Sequence, residues 1–193
     1  MSDYYQHHFQ VYHHRTFGVD PSSFLNILTT HLETGCTVVD VGCGSGRDIL
    51  WLKKRGYHVM GLERSRRLAG LARKHTACRI IEADFETFDF AKLSADALLL
   101  VGALVHLPHP KFANVVNAVC RALKKPGFLL IAMKQGQGTV TDSDGRQFFL
   151  WQDADLRDVF QSNNLAVIDF FSQPSILKTK DIWLGYLLKK TID

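Results

Sequence analysis

Val38-Val39-Asp40-Val41-Gly42-Cys43-Gly44-Ser45-Gly46-Arg47-Asp48 is the stretch on which the fold of this 193-residue chain turns. An apolar, β-branched run enters a turn with glycine at every second position, and the segment from Arg47 to Arg55 then follows a helical pattern. Glycine reaches backbone angles closed to other residues and lets a ligand lie against the main chain, while a helix start offers unpaired N–H groups to a ligand carboxylate. The spacing is G-x-G-x-G. A dinucleotide pyrophosphate asks for G-x-G-x-x-G and a phosphate-cradling loop for a terminal G-K-[ST], and this turn has neither.

Working outward, apolar runs of strand length recur at 37–41, 57–63, 78–82, 95–101, 128–133, 165–171 and 182–188. The first five are almost continuously apolar, as strands covered on both faces are. Helical patterns fall between them at 47–55, 65–74, 111–123 and 153–162, with a leading helix at 21–34 where Asp20-Pro21 reads as an N-cap followed by proline at the first helical position. Lys124-Lys125-Pro126-Gly127 reads as the turn from a helix into the fifth strand. This alternation predicts a doubly wound, Rossmann-like α/β fold: a seven-stranded, mostly parallel sheet with helices on both faces. The short connection 172–181 makes the last two strands an antiparallel pair. With no repeat or linker in 193 residues, the chain reads as one domain, 1–193, with 1–34 as an N-terminal lid and helix segment.

Hydrophobic residues make up 46% and charged residues 22%, which excludes disordered and fibrous classes. No apolar run approaches the length of a membrane span, and the polar, histidine-rich N-terminus has no signal-peptide core, so a cytoplasmic protein is expected. Cys36, Cys43, Cys78 and Cys120 lack C-x-x-C spacing and read as free thiols. A net charge of +4 permits an anionic partner without demanding one.

Two carboxylates stand in register with the glycine turn. Glu63 closes the second strand, beside the turn, where it can accept both hydroxyls of a ribose. Asp84-Phe85 follows the third strand, where the acid can take an exocyclic amine and the ring can cover a base. With Gly42, Gly44 and Gly46 they describe a pocket for an adenosine that carries no phosphate. Asp40 is read as holding the turn by accepting backbone N–H groups.

On these features the sequence resembles the class I S-adenosylmethionine-dependent methyltransferases, specifically the small bacterial type with a generic methyltransferase domain. Matching segments are Asp40 to Gly46, Glu63, Asp84-Phe85, Val101 to Pro108, Leu123 to Gly127 and Lys134 to Gly138, with Tyr12 and Thr16 ahead of the leading helix. A departure is Leu150-Trp151, where the family pattern has a pair of tyrosines. The resemblance implies S-adenosylmethionine as cofactor and adds Tyr12, Asp40, Ser45, Arg64, Gly102 and Ala103 to the residues around it. It also implies methyl transfer to a small molecule by direct displacement, leaving an RNA-modifying enzyme and a cofactor-binding partner module without turnover as alternatives.

His106 follows the fourth strand at the edge where such sheets bind ligands, so it faces the methyl group either as a proton acceptor or as a packed, hydrogen-bonded loop residue. Lys134, Arg146 and Phe148, in and after the fifth strand, are candidates to line an acceptor pocket for an anionic or aromatic molecule. The basic set Arg64, Arg66, Arg67, Arg73 and Lys74 reads as a solvated face, with phosphate attraction and so RNA as the other reading. His7, His8, His13 and His14 lack a carboxylate or cysteine partner at metal-binding spacing, so an exposed N-terminal segment and no metal are expected.

Overall fold

The structure, a computed structural model, describes residues 4–177 and 179–190. Its strands are β1 (Thr37–Val41), β2 (His58–Glu63), β3 (Ile80–Glu82), β4 (Ala95–Val101), β5 (Leu123–Lys134), β6 (Thr139–Thr141), β7 (Gln147–Phe149), β8 (Leu165–Pro174) and β9 (Ile182–Lys190). Its helices are α1 (Tyr4–His7), α2 (Phe9–Thr16), α3 (Ser22–Thr29), α4 (Arg47–Lys53), α5 (Arg66–Thr76), α6 (His109–Val119) and α7 (Asp153–Ser162).

Strand β4 shows why the central runs are apolar at nearly every position. Its side chains alternate between faces, and each face is covered. Ala97 and Leu99 pack with Val38 of β1, Leu25 and Leu28 of α3 and Leu52 of α4. Leu98 and Leu100 pack with Val39 and Val41 of β1, Phe112 and Val116 of α6, and Leu156 and Phe160 of α7. Ala69 and Ala72 of α5 meet Ile49 of α4 and Ile80 of β3 in a third cluster. The seven-stranded sheet runs β3-β2-β1-β4-β5-β9-β8. β1 is parallel to both β2 and β4, β2 to β3, and β4 to β5. β9 runs antiparallel between β5 and β8. This is the expected doubly wound sheet.

Differences lie at the ends and in one addition. Residues 124–127, expected as a helix-to-strand turn, belong to β5, which starts at Leu123 opposite Ala95 and shifts register before Phe128 meets Ala97. The leading helix is shorter than 21–34, covering 22–29, and its N-cap is Pro21 rather than Asp20; Asp20 stands one residue further out and accepts from Ser22 N over 3.0 Å. The β6–β7 hairpin stands outside the main sheet and was not expected. All four cysteines are free thiols. Among the described residues, no helix is long and apolar enough to cross a membrane.

The N-terminal segment is also not the exposed strip its polarity implied. Helices α1 and α2 lie against α5: Gln6 Oε1 accepts from Ser65 Oγ at 3.0 Å and Arg67 N at 3.3 Å. The His13 ring stacks face to face on His75 of α5, centroids 4.8 Å apart at 8°, with Phe17 beside both. The Nδ1 atoms of His13 and His75 are buried without hydrogen-bond partners. His7, His8 and His14 are exposed, as expected.

Burial, followed by repulsion from His75 and His14, lowers the His13 pKa. The folded state therefore keeps this ring neutral at a pH where the unfolded chain protonates it. Its contribution to stability is present above about pH 6.5 and is lost as pH falls toward the lowered value. Thermal melts across this range should show a steeper loss for the parent than for His13→Asn; equal slopes would remove the stack as the cause.

Candidate functional site

The parallel strands β1, β2 and β4 end side by side, and the loops that leave them meet at one edge of the sheet. After β1 the chain reverses through the glycine turn. Gly42 N and Cys43 N donate to Leu62 O at 2.8 and 3.1 Å, and Gly46 N donates to Cys43 O at 3.0 Å. Gly44 N donates to Glu63 Oε2 at 2.9 Å, and Ser65 N donates to Glu63 Oε1 at 2.7 Å. The Glu63 carboxylate thus ties the turn after β1 to the start of α5. Gly44 has φ +55°, and a Cβ there would sit 3.3 Å from the Tyr12 ring; at Gly42, φ +76°, it would sit 2.8 Å from the Ala103 Cβ. A side chain is opposed by conformation at both positions and by space at Gly42, while at Gly44 it would also crowd the Tyr12 ring.

A cavity of about 400 Å³ opens over this turn. Of the residues expected around a cofactor, Tyr12, Gly42, Gly44, Glu63, Arg64, Phe85, Gly102 and Ala103 line it, and His106 stands at its wall. Four expected residues do not. Asp40 and Ser45 face a small adjoining space of about 40 Å³ with Arg47 and Asp48. The amides of Gly42, Cys43, Gly44 and Gly46 are taken by Leu62, Cys43 and Glu63 rather than by Asp40. Burial and the neighbouring Asp48 charge hold the Asp40 pKa well above the carboxylate range, against the pull of Arg47. Arg47 itself is committed to Asp48, Nε to Oδ1 at 2.6 Å. Gly46 serves helix packing instead, since a Cβ there would meet Thr76 Cγ2 at 2.8 Å. Asp84 is not among the residues lining the cavity; it accepts from Glu86 N at 2.9 Å and pairs with Arg64 at 3.4 Å.

A second cavity, about 160 Å³, adjoins the first and shares Tyr5, Tyr12 and Gly102 with it. Lys134, Arg146 and Phe148 all line it, together with Phe24, Trp183 and Asp181. Lys134 Nζ is 2.8 Å from Asp181 Oδ2 and 3.8 Å above the Phe148 ring centre. Arg146 is clasped by Asp142, Nη2 to Oδ2 at 2.6 Å, and lies over the rings of Tyr4 and Phe148. The β6–β7 hairpin carries Arg146 and Phe148 to this place. Leu150-Trp151, the departure from the family pattern, stands apart from it: Trp151 is buried against His109 and Phe112.

His106 sits at the junction. Its Nδ1 is 2.6 Å from Gln147 O and its Nε2 2.7 Å from Tyr5 Oη. A carbonyl only accepts, so Nδ1 carries the proton, and the bare Nε2 of a neutral ring accepts from the tyrosine hydroxyl. Burial, the largest influence, lowers the His106 pKa, and the Arg146 and Lys134 cations add to it against the Gln147 hydrogen bond. Burial raises the Tyr5 pKa, with Arg146 opposing. The basic set near α5 divides by role: Arg64 and Arg66 reach the first cavity, Arg73 binds Glu82 and the Ile80 carbonyl of β3, and Arg67 lies over Phe9.

Tyr5, Gln6, Ser65 and Leu68 of the first cavity and Phe24, Asp181 and Trp183 of the second were not singled out from sequence. The Ser65 N-cap was the one with a local signal, a serine ahead of a helical pattern.

Residues 38–127 match the family described as "Methyltransferase domain". The ubiquinone biosynthesis O-methyltransferase of Paraburkholderia xenovorans (strain LB400) is 35% identical over 100 residues, 49% of this chain and 42% of that protein. The methyltransferase GfsG of Streptomyces halstedii is 30% identical over 119 residues, 58% of this chain and 42% of that protein. The chain thus spans less than half the length of these relatives. Among solved structures, the Burkholderia thailandensis 1,6-didemethyltoxoflavin-N1-methyltransferase, with 1,6-didemethyltoxoflavin and S-adenosylhomocysteine bound, superposes with a TM-score of 0.75 at 20% identity, over 88% of this chain and 77% of that one. The Synechocystis PCC 6803 magnesium protoporphyrin IX methyltransferase, with S-adenosylhomocysteine bound, gives 0.78 at 14% identity, over 98% and 97%. At those identities the likeness is one of fold.

Replacing Glu63 with Ala should weaken S-adenosylhomocysteine binding by about 1.5–3 kcal/mol, the range for hydrogen bonds to a charged group. Because the same carboxylate satisfies Gly44 N and Ser65 N, the melting temperature should fall as well. Calorimetry and thermal melts check both. Parent-like affinity would take Glu63 out of the cofactor site. Gly44→Val should remove measurable binding, and a variant near parent affinity would reduce the turn to a structural device.

Proposed function

We propose that this chain, which carries a methyltransferase domain at 38–127 on the fold of the class I S-adenosylmethionine-dependent methyltransferases, moves the methyl group of S-adenosylmethionine onto a small aromatic acceptor. The observation that carries this reading is the meeting of two cavities at Tyr5, Tyr12 and Gly102. The larger holds the adenosine side of the cofactor: Glu63 beside the ribose, Phe85 against the base, and the glycine turn under the remainder. The smaller has aromatic walls and suits a ring rather than a polymer. A sulfonium placed at the junction faces tyrosine rings, which attract a cation and leave its methyl group pointing across to the acceptor.

The methyl carbon of a sulfonium is already activated. The protein's task is to hold a nucleophile in line with the C–S bond at contact distance and to exclude water. Helices α1 and α2, which bring Tyr5 and Tyr12 over both cavities, act as the lid that does so. The relatives fit this reading, being by name an O-methyltransferase of ubiquinone biosynthesis and an N1-methyltransferase crystallised with 1,6-didemethyltoxoflavin and S-adenosylhomocysteine. An RNA acceptor has less support, since Arg73 of the basic set is occupied within the fold.

In calorimetric titrations the protein should bind S-adenosylmethionine and S-adenosylhomocysteine and should not bind NAD comparably, because the turn lacks pyrophosphate spacing. NAD binding of equal or greater strength would overturn the reading. Production of S-adenosylhomocysteine in a cell extract should survive removal of RNA; its loss would favour an RNA substrate, and binding without turnover in any extract would favour a non-catalytic module.

A further inference from the structure

Tyr5 has two properties that no other wall residue described above combines. It lines both cavities, and its hydroxyl is hydrogen-bonded to the bare nitrogen of His106 at 2.7 Å. His106 Nε2 is thereby covered, so an acceptor in the second cavity meets the tyrosine oxygen before the imidazole. The opposite ring nitrogen is fixed by Gln147 O at 2.6 Å, which sets the tautomer so that the nitrogen facing Tyr5 is the one able to take a proton. Phe148 packs against the ring, centroids 4.5 Å apart, and limits its rotation.

We propose that Tyr5 and His106 form a proton relay serving a phenolic acceptor, with Tyr5 as the catalytic residue in contact with the acceptor and His106 as the group behind it. This rests on the methyl-transfer reading above. As the acceptor oxygen attacks, a lone pair forms the new O–CH₃ bond and the C–S bond breaks with its electron pair left on sulfur. The sulfonium becomes a neutral thioether. The acceptor proton passes to Tyr5 Oη while the Tyr5 proton passes to His106 Nε2. The positive charge given up by sulfur reappears on the imidazolium, which then releases its proton to water.

The surroundings keep His106 a free base before reaction and favour prompt release of the proton it takes up. Burial keeps the ring neutral before reaction, and Arg146 from the hairpin loop and Lys134 from β5 act in the same sense, while Asp142 opposes them. Lys134 is itself paired with Asp181 and Arg146 with Asp142. Tyr5 faces Arg146, Tyr4 and, across the first cavity, Glu63; burial disfavours a standing tyrosinate. Transfer through the tyrosine in step with methyl transfer avoids forming that anion.

The test uses labelled S-adenosylmethionine with two probe phenols at about pH 8: 4-nitrophenol, largely ionised there, and 4-methylphenol, which keeps its proton as phenols of pKa near 10 do. Parent, Tyr5→Phe and His106→Gln are compared, each first shown by calorimetry to bind S-adenosylhomocysteine. Both variants should lose about 10²- to 10⁴-fold in turnover on 4-methylphenol and less than about tenfold on 4-nitrophenol. The parent's rate on 4-methylphenol should rise with pH through a single histidine-like limb that both variants lack. Equal losses on the two phenols, or an unchanged limb, would assign the pair a structural role and overturn the relay. A parent that binds S-adenosylhomocysteine but methylates neither phenol overturns the phenolic relay alone. A parent that does not bind it overturns the functional reading beneath it.

Discussion

The Glu63 carboxylate accepts one backbone amide from the turn after β1 and another from the N-cap of α5, and the site is arranged around that pair of hydrogen bonds. Parallel strands end at one edge of a sheet with their loops free to diverge. Here one side chain at the end of β2 joins two of these loops through charge-assisted hydrogen bonds, stronger than neutral ones and with almost no slack in geometry. The glycine turn stays tight enough for Tyr12 to lie across Gly44, and Ser65 is placed so that its hydroxyl reaches Gln6. Floor, wall and roof of the first cavity therefore share one anchor.

Much of this was legible in the sequence because it follows from local rules. Continuous apolar runs with helical patterns between them identify a doubly covered parallel sheet, and a glycine turn with an acid at the next strand end identifies the binding edge. Lys134, Arg146 and Phe148 were found through their position after the fifth strand, and the structure gathers them at one cavity. Even so, position did not reveal task. Asp40 and Gly46 stand inside the motif, yet the first faces a separate small space beside Asp48 and the second makes room for α5.

What escaped reading was long-range or patternless. The bond between Tyr5 and His106 joins residues 101 positions apart and has no periodicity to announce it. Tyr5 sits among histidines and polar residues, where composition suggests solvent, but aromatic contacts with Tyr12 and His106 draw it inward. The β6 strand is exposed along its whole length and only three residues long, so neither alternation nor an apolar run marks the hairpin. Two histidines stacked between α2 and α5 look in sequence like unrelated polar residues.

The hairpin has a consequence for how such a protein diversifies. It pairs as a two-stranded unit of its own, separate from the seven-stranded sheet, yet it delivers Arg146 and Phe148 to the second cavity and the Gln147 carbonyl to His106. Substitutions at Arg146 or length changes in the turn between the two strands would alter the second cavity while the seven-stranded sheet and the glycine turn are untouched, whereas Phe148 is buried in the main apolar cluster and is held by it. The first cavity is thus built on the sheet edge and the glycine turn, while part of the wall of the second hangs on a short loop, the kind of segment that tolerates change best.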